Sequence, residues 1–154
     1  MIRIARTNSD SPEFLRLVEL LDEHLARVDG EEHPYYAQLN ATDVPRNVVL
    51  AYTNGGAVGC GAIRPFPQDM MEVKRMFVLP AWRRKGIAGL ILAELEDWAR
   101  QLGASACVLE TGRKQSEAVA LYAGHGYHQI ANYGPFIGSE NSICFQKTLH
   151  QVQE

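Results

Sequence analysis

Cysteine is scarce: the 154-residue sequence has three, Cys60, Cys107 and Cys144. None forms a C-x-x-C pair, and each sits in an apolar, strand-like setting. That removes a disulfide framework and a zinc ribbon, and leaves three small buried hydrophobes. No histidine stands beside any of them, so no catalytic thiol is expected. His125 and His128 have an H-x-x-H spacing, but they flank Gly126 and Tyr127, and no metal site is expected from them. No apolar run approaches the roughly 20 residues of a spanning helix. The first residues, MIRIARTNSD, contain no apolar signal core. The expectation is a soluble, cytoplasmic protein with no membrane partner. Positive charge is not in excess either: 15 Lys and Arg stand against 18 Asp and Glu, for a net charge of -3. No long basic face is implied, which argues against a nucleic-acid partner. Neither G-x-G-x-x-G nor G-x-x-x-x-G-K-[ST] occurs, which excludes a dinucleotide fingerprint and a P-loop.

What is present reads as an ordinary globular chain, 46% hydrophobic and 21% charged. At this length roughly 70% of the unfolded surface can be buried. One domain over residues 1–154 is expected, with no repeat or linker. Residues 2–7 read as a strand. Asp10-Ser11-Pro12-Glu13 is helix-start chemistry, and Phe14, Leu15, Val18, Leu21, Leu25 and Val28 then recur at helical spacing as far as Asp29-Gly30. Residues 31–46 read as a short helix or a loop. Residues 47–53, 57–66 and 71–79 form three strands of an antiparallel meander, the first two joined at Asn54-Gly55 and the third ended by Pro80. A helix carries Ile87, Leu90, Ile91, Leu95, Trp98 and Leu102 on one stripe and closes at Gly103. Residues 105–111 are a buried strand. Strand, helix, strand is a crossover, so 71–79 and 105–111 are expected to be parallel neighbours. A short helix over 116–123 and strands over 127–133 and 142–149 complete an α+β domain.

The stretch Arg83-Arg84-Lys85-Gly86-Ile87-Ala88-Gly89 opens the central helix. The first four N–H groups of a helix lack internal partners, and the macrodipole places about half a positive charge there. Glycines allow close approach to backbone, and three cations add field. Such a site suits an anion with several oxygens, most simply a phosphate or pyrophosphate.

Three features in order carry a resemblance. They are the strand end Met76-Phe77-Val78-Leu79-Pro80, the R-x-x-G-x-A turn at Arg83, Gly86 and Ala88, and the A-x-x-L-Y-x-x-x-G-Y segment at Ala118, Leu121, Tyr122, Gly126 and Tyr127. Over about residues 47 to 127 the chain resembles the GNAT N-acetyltransferase superfamily, which moves an acetyl group from acetyl-CoA to an amine. The resemblance implies a mixed, mostly antiparallel sheet of about six to seven strands with a splayed parallel pair, flanked by about four helices. It implies that backbone of Met76, Phe77 and Val78 pairs with the pantetheine arm, and that N–H groups from Arg84 through Lys85, Gly86, Ile87 and Ala88 to Gly89 hold the pyrophosphate within the field of Arg83. It implies that Tyr122 protonates the departing thiolate. Gln115 stands where the family often has Asn, as a cofactor contact of longer reach. Acetyl-CoA is the implied co-substrate and a homodimer a possible assembly.

A lysine-like amine has a pKa of about 10.4 and must lose its proton to attack. Glu72, four residues before Met76, is the first candidate base, acting through water; strict strand alternation would put it on one face with Lys74, Met76 and Val78. Glu110, at the carboxyl end of its strand, could act as base or bind a cationic acceptor. The Val78 N–H is the implied donor to the developing oxyanion. On the acceptor side Glu31, Glu32, His33, Tyr35 and Tyr36 suit a cation, whereas Arg64 and Arg75 suit a carboxylate. The expected reaction is direct attack by a small amine or amino-acid-like acceptor, with Glu110, Arg75 and Tyr36 as acceptor contacts. Acetylation of a protein amine, or a non-catalytic acyl-CoA-binding regulatory module, are the alternatives.

Overall fold

The computed structural model describes residues 1–29 and 45–150. Seven strands of the described residues form one sheet: β1 (Arg3–Thr7), β2 (Asn47–Thr53), β3 (Gly56–Phe66), β4 (Met70–Val78), β5 (Ala106–Gly112), β6 (His128–Ile130) and β7 (Ser142–Thr148). Their order across the sheet is β1-β2-β3-β4-β5-β7-β6. Only β4 and β5 run parallel; every other neighbouring pair is antiparallel. Three α-helices lie among the described residues: α1 (Pro12–Asp29), α2 (Ile87–Gln101) and α3 (Ser116–Gly124). Residues 30–44, which hold most of the expected short helix or loop together with Tyr35 and Tyr36, lie outside the described residues.

The helices cover both faces of the sheet. Ser11 starts α1 by accepting a hydrogen bond from the Phe14 N–H through its hydroxyl at 3.3 Å. Phe14, Leu17 and Leu21 then bury against Val48, Leu50, Cys60, Ala62 and Phe77. On the opposite face Ile87, Ile91, Leu92 and Leu95 of α2 bury against Val49, Ile63, Val73, Val78 and Leu109. Alternation along β2 makes this two-sided burial possible, with Val48 and Leu50 on one side and Val49 and Ala51 on the other. Each fully buried Leu or Ile contributes about 1.5–3 kcal/mol by leaving water.

Two stripes are rotated from expectation. Leu15 is exposed, and Leu17 takes the core position in α1. Leu90 and Leu102 are exposed, while Leu92 and Ala99 are buried with Ile91 and Leu95. A leucine satisfies either side of a helix start or end, and tertiary packing decides which one the core takes. Glu96 is also buried, which the helical pattern did not suggest. It accepts from the Tyr127 hydroxyl at 3.0 Å and from Lys147 Nζ at 2.9 Å. Paired in this way, the charge is tolerated inside. β6 is shorter than the expected 127–133, because Tyr133 leaves the sheet and Gly134–Phe136 forms a 3-10 turn.

Candidate active site

The parallel pair opens early. β4 and β5 are in register at Met70 with Ala106, Met71 with Cys107 and Glu72 with Val108, and no further. Both strands continue, β4 to Val78 and β5 to Gly112, so they diverge beyond Glu72. A bulge follows further along β4. On β3 Cys60 faces Phe77 and Ala62 faces Lys74, so Gly61 alone opposes both Arg75 and Met76. Arg75 takes up the extra residue in a left-handed conformation, φ 62°, which costs a side chain about 1–2 kcal/mol.

The bulge changes which side chains share a face. Val73, not Glu72, lies with Met76 and Val78 in the core under α2. The strict alternation expected from Glu72 through Val78 is therefore broken by one residue at Arg75. Glu72 remains in the wall of the cleft that the divergence creates, and the cleft is lined by both strands, by α1 and by α3.

This cleft has a volume of about 110 Å³. Glu72, Lys74, Arg75 and Glu110 supply its charges, and Leu21 and Leu25 of α1 supply its apolar side. Glu72 is only 3% exposed. The Tyr133 hydroxyl donates to its Oε2 at 2.7 Å, and Arg64 Nε forms an ion pair with its Oε1 at 3.0 Å. Burial first, and then the Glu72 charge, push the Tyr133 hydroxyl above its ordinary pKa, so it stays a donor. Tyr133 itself is stacked edge-on to Phe66, with ring centroids 4.8 Å apart. Arg75 reaches Asp22 of α1, with 3.6 Å between Nη1 and Oδ1. Glu110 is half-buried on the β5 side. Both carboxylates and Arg75 thus line one cleft; Tyr36 lies outside the described residues.

A larger groove of about 660 Å³ continues from the cleft. Leu21, Met76, Gln115, Ala118 and Tyr122 line both. The groove runs past Phe77 and Val78 to Arg83, Arg84 and the start of α2 at Gly86, Ile87, Ala88 and Gly89. Lys85 is exposed beside it without lining it.

The turn before α2 is shaped by two left-handed residues, Arg84 at φ 63° and Gly86 at φ 81°. A Cβ at Gly86 would meet nothing within 4 Å, so the bare backbone there faces open space. Gly89 has a different reason. Its Cβ would come within 2.7 Å of His125 Nε2, so glycine makes room for a histidine of the chain itself. His125 is fixed by a 2.8 Å hydrogen bond between Nδ1 and the Leu121 carbonyl. Arg83 is partly committed as well: its Nε donates to the Val78 carbonyl at 2.8 Å, and its guanidinium lies over the Phe77 ring. It ties the end of β4 to the turn.

Tyr122 stands where groove and cleft meet, and it is buried. Its ring packs against Tyr127 and Phe145. Burial, and secondarily the Glu110 charge, raise its pKa, so the phenol keeps its proton and can only donate to an anion. The arrangement is a long slot with cationic backbone at one end, a charged cleft at the other, and a protonated phenol at the junction. The slot matches an extended molecule with an anionic head.

The GNAT acetyltransferase family model matches residues 14–127, a span that includes the bulge, the α2 turn and Tyr122. The chain belongs to the GNAT acetyltransferase family. Among GNAT relatives, an IAA acetyltransferase of Azospirillum brasilense is 34% identical over 150 residues, covering 96% of this chain and 98% of that protein. A Klebsiella pneumoniae structure described as an acyl-CoA N-acyltransferase superposes with a TM-score of 0.82 at 29% identity, covering 97% of this chain and 99% of that one. The PaiA N-acetyltransferase of Thermoplasma acidophilum, solved with coenzyme A, shares the fold at a TM-score of 0.71 and 16% identity, over 96% and 99% of the two chains. A mixed sheet with a splayed parallel pair is thus the GNAT architecture of this chain as well. No helix of the described residues is long and apolar enough to cross a membrane.

Tyr133 is the site residue that sequence reasoning missed. It lies in Asn132-Tyr133-Gly134-Pro135-Phe136, where turn residues hide any periodicity. Its only signal was an aromatic in a glycine- and proline-rich turn. Cys60 is a buried core residue, as its apolar setting suggests, and its thiol also donates to the Arg75 carbonyl at 3.2 Å.

Proposed function

We propose that this GNAT protein transfers the acetyl group of acetyl-CoA to a small primary amine by direct attack. The observation that carries the reading is Tyr122, a protonated phenol at the junction of an anion-ready groove and a cleft with two carboxylates. Acetyl-CoA supplies an activated acyl thioester. The open backbone at Gly86, with Ile87, Ala88 and Gly89 behind it, suits a pyrophosphate, and Arg83, Arg84 and Lys85 supply the field. Met76, Phe77 and Val78 offer strand backbone along the groove, Gln115 a further polar contact, and the Val78 N–H a donor for charge developing on the carbonyl oxygen.

In the cleft, Glu72 receives the proton of the acceptor ammonium through water, and Glu110 and Arg75 bind the acceptor; Tyr36, outside the described residues, is a further acceptor contact in this reading. Arg64 and Tyr133 hold Glu72 in one orientation, which is what a fixed proton acceptor needs. Tyr122 gives its hydrogen bond, and finally its proton, to the departing sulfur, and the phenol is restored by the proton that the attacking nitrogen sheds as the amide forms. The cleft volume of about 110 Å³ supports a small acceptor head, such as an amine or an amino acid, over a protein surface.

The test is thiol release from acetyl-CoA across a panel of amines, amino acids and IAA, with mass spectrometry of the product. IAA is included because the Azospirillum relative is named for it. Glu72→Gln should lower kcat by roughly 100-fold, while Glu110→Gln should mainly raise KM for the acceptor. The reverse pattern would exchange the two roles. Tight acetyl-CoA binding without turnover across the panel would leave a regulatory acyl-CoA-binding module instead.

A further inference from the structure

β4 has parted from β5 beyond Glu72, and the bulge at Arg75 then sets how Met76, Phe77 and Val78 present their backbone to the groove. A left-handed arginine inside a strand persists only if its surroundings over-determine it. Three partners do so. Gly61 leaves the space on the α2 side, because a Cβ there would meet Met76 Sδ at 2.5 Å and Ile91 and Leu95 at 2.9 Å. Asp22 pairs with the Arg75 guanidinium on the α1 side. Cys60, fully buried between β3 and α1, donates its thiol to the Arg75 carbonyl at 3.2 Å.

We propose that Cys60 is a positioning residue of the cofactor groove: its thiol holds the Arg75 carbonyl within the bulge, and so fixes the path of β4 through Met76, Phe77 and Val78 along the groove. The inference rests on the cofactor reading given above. A thiol suits the place for two reasons. It is small and apolar enough for a core position that Phe14, Leu17 and Leu50 also share, and it still carries one donor. Burial pushes Cys60 up to about 12, so the donor proton stays on sulfur throughout the neutral range. The sequence triplet Gly59-Cys60-Gly61 thereby gains a meaning: Gly61 makes room for the bulge, and Cys60 satisfies it.

Three variants separate the donor from the packing. Cys60→Ala removes both, Cys60→Val keeps the bulk without the donor, and Cys60→Ser keeps a donor. CoA affinity by calorimetry should weaken by about 3- to 10-fold in Cys60→Ala and Cys60→Val, and stay within about twofold in Cys60→Ser. KM for acetyl-CoA should follow affinity while kcat holds within about twofold, since placement of the cofactor and not the chemical step is altered. Hydrogen exchange of the peptide over residues 73–79, measured without ligand, should speed up in the first two variants and not in the third. Equal behaviour of Cys60→Ser and Cys60→Val, in either affinity or exchange, would overturn the proposal. If the unaltered protein binds no CoA, the cofactor reading fails, and the exchange comparison alone judges the thiol.

Discussion

At the residue scale, Tyr122 concentrates the chemistry. Burial has a simple consequence for a phenol: losing its proton costs more, so the group remains an acid well beyond the ordinary tyrosine value of about 10. The acceptor amine must be neutral while Tyr122 is protonated, and a raised tyrosine pKa widens the range where both hold. Tyr122→Phe keeps the ring contacts with Tyr127 and Phe145 and deletes only the donor. Its kcat should fall by roughly 100-fold with KM for acetyl-CoA little changed. The loss should be the same at every pH from about 6 to 10, because the phenol does not titrate there. A Tyr122→Phe enzyme with full kcat, or a defect confined to alkaline pH, would remove Tyr122 from the acid role. The motif around Tyr122 made this residue legible in the sequence. Tyr133 was not, since its partner Glu72 is 61 positions away and nothing local marks either one as a pair.

At the element scale, the turn into α2 and the bulge in β4 differ in how they are written. The turn has its own vocabulary: cations, glycines and then an apolar period. Gly86 at φ 81° fits that reading, since only glycine takes this conformation freely and open space surrounds it. Gly89 does not, because its vacancy is filled by His125. The two glycines look alike in sequence, yet one is left-handed in open space and the other lies against His125, the residue that follows α3. The bulge has no local vocabulary at all: Lys74-Arg75-Met76 reads as plain alternation, and the extra residue becomes visible only against Gly61 on β3. Replacing Gly86 separates strain from charge. Gly86→Ala and Gly86→Glu share the left-handed penalty of about 1–2 kcal/mol, so both should melt about 2 to 8 °C lower yet remain folded. Only the glutamate puts a carboxylate beside the groove. CoA affinity should hold within about threefold for alanine and weaken by about 10-fold or more for glutamate. Equal affinities in calorimetry would move the anion site away from Gly86.

At the scale of the whole molecule, the meander β2-β3-β4 and the parallel crossover to β5 follow from turn chemistry and right-handed connection. The placement of β7 between β5 and β6 does not, because it depends on strands far apart in sequence. The folded chain also buries all three thiols and much of its phenol content. Burial raises Cys60 and Cys107 to about 12 and Cys144 to about 11, from an ordinary thiol value of 9.0. The same cause raises Tyr122, Tyr127 and Tyr133 above 10.0. In each case the folded state binds the proton more tightly than the unfolded chain. Stability from these groups is therefore complete below about pH 9, where the unfolded thiols are still protonated, and is lost as pH climbs from there through the folded values. The melting temperature should be flat between about pH 7 and 8.5 and should fall steadily from about pH 9 to 11. The three thiols should resist an aromatic disulfide reagent while the protein is folded and react together on unfolding, since a buried neutral thiol is inert. A thiol that reacts in the native protein near neutral pH would show that its strand opens locally. If that thiol were Cys60, the β4 bulge would be the place where the sheet gives way first.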